Sequence, residues 1–361
     1  MKRVDETPDI LDLTAELIRF RSTHDRPGEI RRCADYIAQW LATAGLHGDS
    51  LDHGGVPSVL ITPRPGEAPA LLMSHIDVVA APDALFDPQI RNGRLYGRGS
   101  IDDKYAVALS LILLRDWRRR HAQADLPFGV LITGDEEIGG RNGADFALGQ
   151  VSGRFCIALD GGSADEIVVQ EKGLVRLKLV CRGRSAHGAR PWLGDNAIEK
   201  LMAAYRRIAA DFHQSAPDHW HRTVNFSQVR AGDSPNQVPD RAEAILDIRF
   251  TEVDDIDTLL ADWGREIDAE LIVVGRGAVF DAGPSAELDL LRRTVPEARL
   301  VREHGASDAR HLAAHGWTGI VWGADGEMSQ HSEDEHVVIA SLATLYHRLD
   351  RFFERLAGGA G

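Results

Sequence analysis

Residues 128–137 read FGVLITGDEE, a run of apolar and small residues followed at once by three acidic ones. The run has the length of a buried strand. The same arrangement recurs in residues 70–77, ALLMSHID, and in residues 155–160, FCIALD. A long helical pattern, roughly residues 103–120, lies between two of these strands. Strands that alternate with helices predict an α/β fold with a mostly parallel sheet.

The hydrophobic pattern changes at residue 173. Residues 175–183, VRLKLVCRG, alternate apolar and basic side chains, which predicts a half-exposed strand. The strand and helix patterns up to residue 281 then follow the order β-α-β-β-α-β of a split-βαβ, ferredoxin-like α+β domain. The sequence therefore predicts an α/β domain in two parts, residues 1–172 and 282–361, interrupted by an inserted domain of residues 173–281.

The composition excludes several classes of protein. The 361 residues are 43% hydrophobic and carry a formal net charge of −14, which argues against a nucleic-acid partner because phosphate contacts need basic surface. No apolar run is long enough for a membrane span, and the first residues lack the apolar segment of a secretory signal. Cys33, Cys156 and Cys181 are too few and too widely spaced for a disulfide framework, so we expect packed thiols and a cytoplasmic location.

Several compact catalytic motifs are missing. The sequence contains no G-x-S-x-G, no P-loop and no H-E-x-x-H. Gly97 and Gly99 form a weak glycine cue without the third glycine of a dinucleotide-binding turn, so an oxidoreductase is not predicted.

Histidines and acidic residues are instead concentrated after the predicted strands. They are His75, Asp77, Asp102, Asp103, Asp135, Glu136, Glu137, Asp160 and, in a late loop, His331. Ligands of parallel α/β sheets bind at the carboxyl ends of the strands. Carboxylates that converge there repel one another unless a cation neutralises them. Imidazole and carboxylate donors suit Zn²⁺, with Mn²⁺ and Co²⁺ as alternatives. The pattern therefore predicts a site for two divalent ions.

Five segments in this order, SHIDVV, YGRGSIDDK, TGDEEIGG, ALDGG and SQHSEDEHV, resemble the co-catalytic zinc family of aminoacylases, acetylornithine deacetylases, succinyl-diaminopimelate desuccinylases, glutamate carboxypeptidases and dipeptidases. The resemblance covers nearly the whole chain. It implies two zinc ions, with one ion held by His75 and Asp160, the other by Glu137 and His331, and both by Asp102. It also implies that Glu136 is the general base on a bridging water and that the Asp77 carboxylate orients His75. A cis peptide between Asp102 and Asp103 is expected as well.

The resemblance extends to the inserted domain and to substrate contacts. It implies that residues 173–281 form a lid and dimerisation domain, in which His187 of GRSAHGARP donates to the oxyanion. SPNQVP and ILDIRF resemble segments with a substrate-contacting Asn236 and Arg249, and GASDARHL resembles a segment whose Arg310 grips a substrate carboxylate. A plain salt bridge is the alternative for each arginine.

These observations predict a metal-dependent hydrolase that cleaves the amide bond of a small peptide or N-acyl amino acid with a free carboxylate. The DDK run at residues 102–104 is similar to the dipeptidase and carboxypeptidase branch, whereas DMK is usual in the deacylase branch. An N-acyl amino-acid deacylase of the acetylornithine deacetylase or succinyl-diaminopimelate desuccinylase type is the alternative. A remote alternative is a non-catalytic binding protein with the same fold. The presence of Glu136 argues against it, because a binding protein does not need a general base. We expect no nucleic-acid or membrane partner, and a homodimer formed through the inserted domain.

Overall fold

The computed structural model describes residues 6–121 and 126–358. Residues 1–5 of the segment MKRVDETPDILDLT, on which the absence of a secretory signal was predicted, lie outside the described residues. The helices are α1 Thr7–Ile18, α2 Pro27–Thr43, α3 Lys104–Arg120, α4 Phe146–Leu148, α5 Ala197–Ala209, α6 Ile256–Glu266, α7 Ala286–Thr294 and α8 Ile339–Gly358. The strands are β1 Asp49–His53, β2 Val56–Ile61, β3 Glu67–His75, β4 Gln89–Arg91, β5 Arg94–Tyr96, β6 Phe128–Thr133, β7 Ser152–Ala158, β8 Glu166–Glu171, β9 Gly173–Arg182, β10 Thr223–Ala231, β11 Arg241–Phe250, β12 Glu270–Gly277, β13 Phe280–Asp281, β14 Arg299–Glu303, β15 Thr318–Val321 and β16 His336–Val338.

The chain divides into two compact units. The first contains the described residues up to Gln170, Asp281–Glu303, and the described residues from Ser307 onward. The second contains Glu171–Phe280 and His304–Ala306. The domain limits at residues 173 and 281, as boundaries of independently folding domains, stay a prediction.

The large sheet of the first unit is mixed, which corrects the prediction of a mostly parallel sheet. Its strand order is β1-β2-β6-β3-β7-β15-β8-β13, with β14 paired to β8. The four central strands β6, β3, β7 and β15 run parallel, but β2 is antiparallel to both of its neighbours and β8 is antiparallel to β15. Gly54 and Gly55, both with positive φ, form a two-residue turn that forces β1 and β2 into a hairpin. An apolar run shows that a strand is buried but does not show which way its neighbour runs.

Helix α3 joins the predicted ligand Asp102 to the core of this unit. Every residue from Lys104 to Leu114 is buried, because the helix packs against β3, α1 and α8. The sequence pattern predicted a single buried face for this helix, so the burial on all sides is greater than predicted. Since Asp102 and Asp103 directly precede the helix, their backbone is joined to a densely packed element.

The second unit is a four-stranded antiparallel sheet with two helices. The strand order is β10-β11-β9-β12, and the elements occur along the chain as β9-α5-β10-β11-α6-β12. This is the split-βαβ topology. Alternate residues of β9 and β11 pack with α5 and α6 around the buried Trp263.

The three cysteines are free and buried, as predicted. Burial raises the pKa of the Cys33 thiol to about 11, so this thiol is held protonated. Among residues 6–121 and 126–358, no helix combines the length and the hydropathy that a membrane-spanning helix needs.

Candidate metal centre

The carboxyl ends of the parallel strands bring five predicted ligands together. His75 is the last residue of β3, and Glu137 lies in a short 3₁₀ turn just after β6. Asp160 lies two residues beyond β7, Asp102 stands just before α3, and His331 lies in the loop between β15 and β16. Parallel strands place these separate segments at one edge of the sheet.

The side chains form two groups. In the first, ligand atoms of His75, Glu136 and Asp160 all lie within 4.8 Å of one another. In the second, the same is true of Asp102, Glu137 and His331. Each group has the imidazole and carboxylate donors that a divalent transition metal takes. Glu136 and Glu137, although adjacent in sequence, thus belong to different groups.

Asp102 faces both groups. Its Oδ1 lies 2.9 Å from His75 Nε2, and its Oδ2 lies 3.0 Å from His331 Nε2. His331 Nε2 is also 3.3 Å from Glu137 Oε2. The Asp102–Asp103 peptide is cis, as expected. A single carboxylate with one oxygen toward each group has the geometry of a bridging ligand.

Asp77 contacts His75 and also the turn that carries Glu136 and Glu137, whereas the resemblance implied only that its carboxylate orients His75. The backbone carbonyl of Asp77 accepts a hydrogen bond from His75 Nδ1 at 3.0 Å, while the nearer carboxylate oxygen is 3.4 Å from that nitrogen. The carboxylate accepts hydrogen bonds from the backbone amides of Glu136, at 3.2 Å, and Glu137, at 3.0 Å. Asp77 therefore orients His75 through its backbone and the two glutamates through its side chain.

The tautomer of His75 is informative about what the site binds. Because a carbonyl can only accept, Nδ1 carries the proton in this hydrogen bond, which leaves Nε2 as the ring nitrogen available to a metal ion. Nε2 is buried and makes no hydrogen bond of acceptable geometry, although the Asp102 carboxylate lies beside it. In the neutral ring, the Nε2 lone pair would face carboxylate oxygens, which is repulsive unless a cation lies between them. The residues present therefore fit a divalent metal ion.

The electrostatics of the site agree with this donor chemistry. Burial raises the pKa of the Glu136 carboxyl well above its ordinary value, and burial raises that of Asp160 to about 6. Burial also opposes ionisation of Asp102, but the imidazoles of His331 and His75 beside it outweigh the effect of burial and hold the pKa of Asp102 low. Hydrogen bonds to the carboxylates of Asp102 and Glu137 raise the pKa of His331 to about 10. The carboxylates thus demand positive charge, which a divalent cation supplies.

Arg310 lies beside the predicted base. Its Nη2 is 3.1 Å from both Glu136 Oε1 and Asp308 Oδ1, and its side chain is only 6% exposed. The structure thus places Arg310 against Glu136, where sequence analysis expected a group that grips substrate.

The other three predicted residues belong to the second unit. His187 is exposed, and its Nδ1 accepts a hydrogen bond from the amide of Ala189 at 3.0 Å. The Asn236 side-chain oxygen accepts from the Ser234 hydroxyl at 2.6 Å. Arg249 on β11 forms an ion pair with Asp247 at 2.7 Å. Arg249 therefore forms a salt bridge within its own strand, which was the alternative to a substrate contact considered from the sequence.

Three buried charged residues beside the candidate site were not predicted from the sequence: Arg98, Asp308 and Glu335. Each lies inside or beside a motif that had been singled out for another residue. Arg98 and Glu335 are each four positions from a predicted ligand, and Asp308 is two positions from Arg310. Their sequence signal is this proximity alone, because residue type does not separate a buried charge from a solvated one.

Comparison with known proteins identifies the family. The sequence matches the model of peptidase family M20/M25/M40 over residues 71–355. A succinyl-diaminopimelate desuccinylase of Thioalkalivibrio sulfidiphilus is 29% identical, covering 96% of this chain and 99% of its own. The enzyme of that name from Gluconacetobacter diazotrophicus is 31% identical over 79% of this chain and 80% of its own. The chain belongs to peptidase family M20/M25/M40.

A solved structure shares the fold. A metallo-carboxypeptidase of this family from Sulfolobus solfataricus superposes with a TM-score of 0.78 at 17% identity, over 97% of this chain and 99% of that one. The mixed α/β fold is therefore that of the family. The family membership and the assignment as a metal-dependent amide hydrolase, both predicted from the sequence, are confirmed.

Proposed function

We propose that this protein hydrolyses the amide bond of a small peptide or N-acyl amino acid that carries a free carboxylate. One observation carries the proposal: Asp102 directs one oxygen to each of two ligand groups, with the mostly buried Glu136 beside them. The ligands we propose are His75 and Asp160 for one ion, Glu137 and His331 for the other, and Asp102 for both. Zn²⁺ is the metal that this donor set favours, with Co²⁺ and Mn²⁺ as alternatives.

Bound at these groups, two divalent ions would lower the pKa of a shared water and polarise the scissile carbonyl. Glu136 accepts the proton of the attacking water and passes it to the leaving amine. Its burial supports this role, because burial raises the pKa of a carboxyl toward the range in which it both accepts and releases a proton near neutral pH. The Arg310 guanidinium, 3.1 Å from Oε1, holds the carboxylate in place.

The Asp77 carboxylate holds the turn that carries the two glutamates. It accepts hydrogen bonds from both backbone amides of the turn, and the two consecutive side chains belong to different ligand groups. Glu137 joins Asp102 and His331, and its other oxygen accepts from the Val79 amide at 3.0 Å. Glu136 is left to move the proton.

The second unit supplies the remaining proposed roles. His187 is the donor to the oxyanion, and Asn236 and Arg249 contact substrate, with Arg310 of the first unit as a further carboxylate contact. We propose that this unit is a lid and forms a homodimer. The edge strand β12 supports pairing with a second copy, because Ile272, Val273 and Val274 are exposed there. The buried free thiols are consistent with a cytoplasmic location.

A second candidate function rests on the curated relatives. Two of them, at 29% and 31% identity, are named succinyl-diaminopimelate desuccinylases. An N-succinyl amino acid presents an amide and a free carboxylate, as a dipeptide does. The DDK run argues for the peptide and the relatives for the N-acyl substrate.

One experiment separates the two candidates. The Zn²⁺-loaded protein is incubated with dipeptides, N-acetyl and N-succinyl amino acids and succinyl-diaminopimelate, and release of primary amine is measured. We expect release from at least one class, and the class with the higher kcat/KM identifies the substrate. Glu136→Gln is the control, because it removes the base and no proposed ligand. No release from any compound by protein shown to hold two ions would contradict the proposed function.

A further inference from the structure

Two buried charged residues outside the ligand set join the segments that carry Asp102 and His331. The Arg98 guanidinium forms an ion pair with the Glu335 carboxylate, and their side chains are 4% and 0% exposed. Arg98 lies four residues before Asp102, and Glu335 lies four residues after His331. The pair therefore links two segments more than two hundred residues apart in the chain.

Glu335 organises the segment that leads to Asp102. Its Oε1 accepts hydrogen bonds from the backbone amides of Gly99, at 2.8 Å, and of Ile101 and Asp102, at 3.4 Å each. In addition, the backbone carbonyl of Glu335 accepts from the Gly97 amide at 3.1 Å. One carboxylate thus holds the turn that positions the bridging ligand.

Arg98 acts in the opposite direction, on the segment of His331. Its Nη2 donates to the backbone carbonyls of His331 and Ser332, at 3.3 Å each. The two residues therefore act crosswise. Arg98, from the segment of Asp102, holds the backbone of His331, and Glu335, from the segment of His331, holds the backbone of Asp102.

The His331 segment needs such support. Glu327, Met328 and His331 have φ of 51°, 59° and 62°, in the left-handed region that residues other than glycine rarely adopt. His331 lies on neither a helix nor a strand, and its side chain is about half exposed. A loop of this conformation persists only where its surroundings hold it.

We propose that Arg98 and Glu335 are positioning residues that hold His331 and Asp102 at the separation that metal binding requires. Arg98 and Glu335 belong to neither ligand group, and they contact the backbone of the two ligands. The inference rests on the proposed metal centre. Because His331 belongs only to the group with Glu137, loss of the Arg98 contact weakens chiefly the ion of that group.

The test is Arg98→Lys, measured by binding of Co²⁺ to the metal-free full-length protein. Lysine keeps the charge but cannot contact Glu335 and two carbonyls with a planar fork. Loss of such outer partners typically costs about 10- to 100-fold in metal affinity. We expect a loss of that size for one of two ions, with a changed visible absorption spectrum, and little change for the other ion.

Arg222→Lys is the matched control. Arg222 of the second unit has a side chain 17% exposed and pairs with the buried Asp254 at 2.6 Å, and its Nε donates to the backbone carbonyl of Asp211 at 2.8 Å. None of these residues is close in the sequence to a proposed metal ligand. This variant shows how far thermal stability falls when a buried arginine pair is weakened, and both Co²⁺ affinities should stay as in the wild type. Equal weakening of both ions in Arg98→Lys, in proportion to a loss of stability, would overturn the proposal.

Glu335→Gln decides the matter if Arg98→Lys fails to fold. Glutamine keeps an acceptor for the three amides and removes the charge that holds Arg98, so we expect weaker binding of the same ion. Wild-type affinities in the folded variants would contradict the inference. A wild-type protein that binds two Co²⁺ ions but hydrolyses nothing would contradict the proposed function and leave the inference standing, whereas failure of the wild type to bind Co²⁺ would overturn both.

Discussion

At the scale of single residues, the candidate site separates chemical roles that the sequence places side by side. Glu136 and Glu137 are consecutive, yet Glu136 lies with His75 and Asp160 while Glu137 lies with Asp102 and His331. Asp77 holds the turn that carries both residues, because its carboxylate accepts a hydrogen bond from each glutamate amide. A substitution of Glu136 should therefore lower turnover, whereas a substitution of Glu137 should lower metal binding.

We expect Glu136→Gln to keep both metal ions and to lose most of the turnover, because it removes a proton acceptor and no proposed ligand. General acid–base groups contribute about 10²- to 10⁴-fold, so kcat should fall by at least the lower figure. Metal content and kcat are measured on the same preparation. Glu137→Gln is the matched control and should lose metal. A loss below about tenfold in Glu136→Gln with both ions bound would remove Glu136 from the mechanism.

Asp102→Ala should lower occupancy of both metal positions together, since this carboxylate has one oxygen near the histidine of each group. Elemental analysis after dialysis against a metal buffer measures the stoichiometry. Asp334→Ala, an acidic residue of the His331 loop with an 86% exposed side chain, is the control and should keep both ions. Selective loss of a single ion would contradict the bridging role.

At the scale of secondary-structure elements, strand ends and helix starts carry the site. The carboxyl-terminal halves of the central strands β3, β6 and β7 are buried, and His75, the Glu136 turn and Asp160 lie at or just after the ends of these strands. The apolar runs and the acidic residues after them are local patterns, so these strand positions could be predicted. Sheet direction could not, because it depends on turns and distant pairings, as at β2.

The stability of the second unit is expected to depend on Trp263, which is part of its hydrophobic core. Trp263 on α6 is 0% exposed, and its indole nitrogen donates to Asp211 at 2.7 Å. Trp263→Ala should reduce the free energy of unfolding of this unit by roughly 3–5 kcal/mol, from lost apolar burial and the cavity left behind. Urea unfolding followed by circular dichroism measures it.

Trp192 offers a control of the same residue type, since it is 73% exposed. Trp192→Ala should change the free energy of unfolding by no more than about 0.5 kcal/mol, as is usual for surface positions. Equal effects of the two substitutions would show that Trp263 does not form the core of the unit.

At the scale of the whole molecule, the proposed reaction combines residues of two compact units. The proposed ligands and the base belong to the first unit, while His187, Asn236 and Arg249 belong to the second. In many enzymes, closure of a loop or domain over the substrate completes the set of catalytic groups. The proposed role of His187 can therefore be tested apart from metal binding.

We expect His187→Ala to leave metal content unchanged and to lower kcat by about 10²- to 10³-fold, the typical cost of one oxyanion donor. His213→Ala, at another exposed histidine of the second unit, is the control and should keep wild-type kcat. An unchanged kcat in His187→Ala would exclude the role.

Mixing the His187→Ala and Glu136→Gln proteins distinguishes the source of the donor. If a second subunit supplies His187, exchange of subunits should recover part of the activity, because one hybrid site has both groups. After verified exchange, the absence of recovery would assign the donor to the same chain.

The sequence by itself determined which residues are available for the chemistry, since ligand type and order along the chain are local properties. His75, Asp102, Glu137, Asp160 and His331 each lie in a short motif whose residue types identify them. The alternation of strands and helices and the β-α-β-β-α-β order of residues 173–281 are equally local.

Only the tertiary structure decided how these residues are held. The mixed direction of the large sheet, the contact of Arg310 with Glu136, and the backbone hydrogen bond from His75 to Asp77 depend on which segments meet in space. Arg98 and Glu335 show the physical reason most clearly. They are 237 positions apart, and nothing in either motif reports that both charges are buried against each other. Burial and hydrogen-bond partners are properties of the packed chain, and a sequence pattern reports only the neighbours along it.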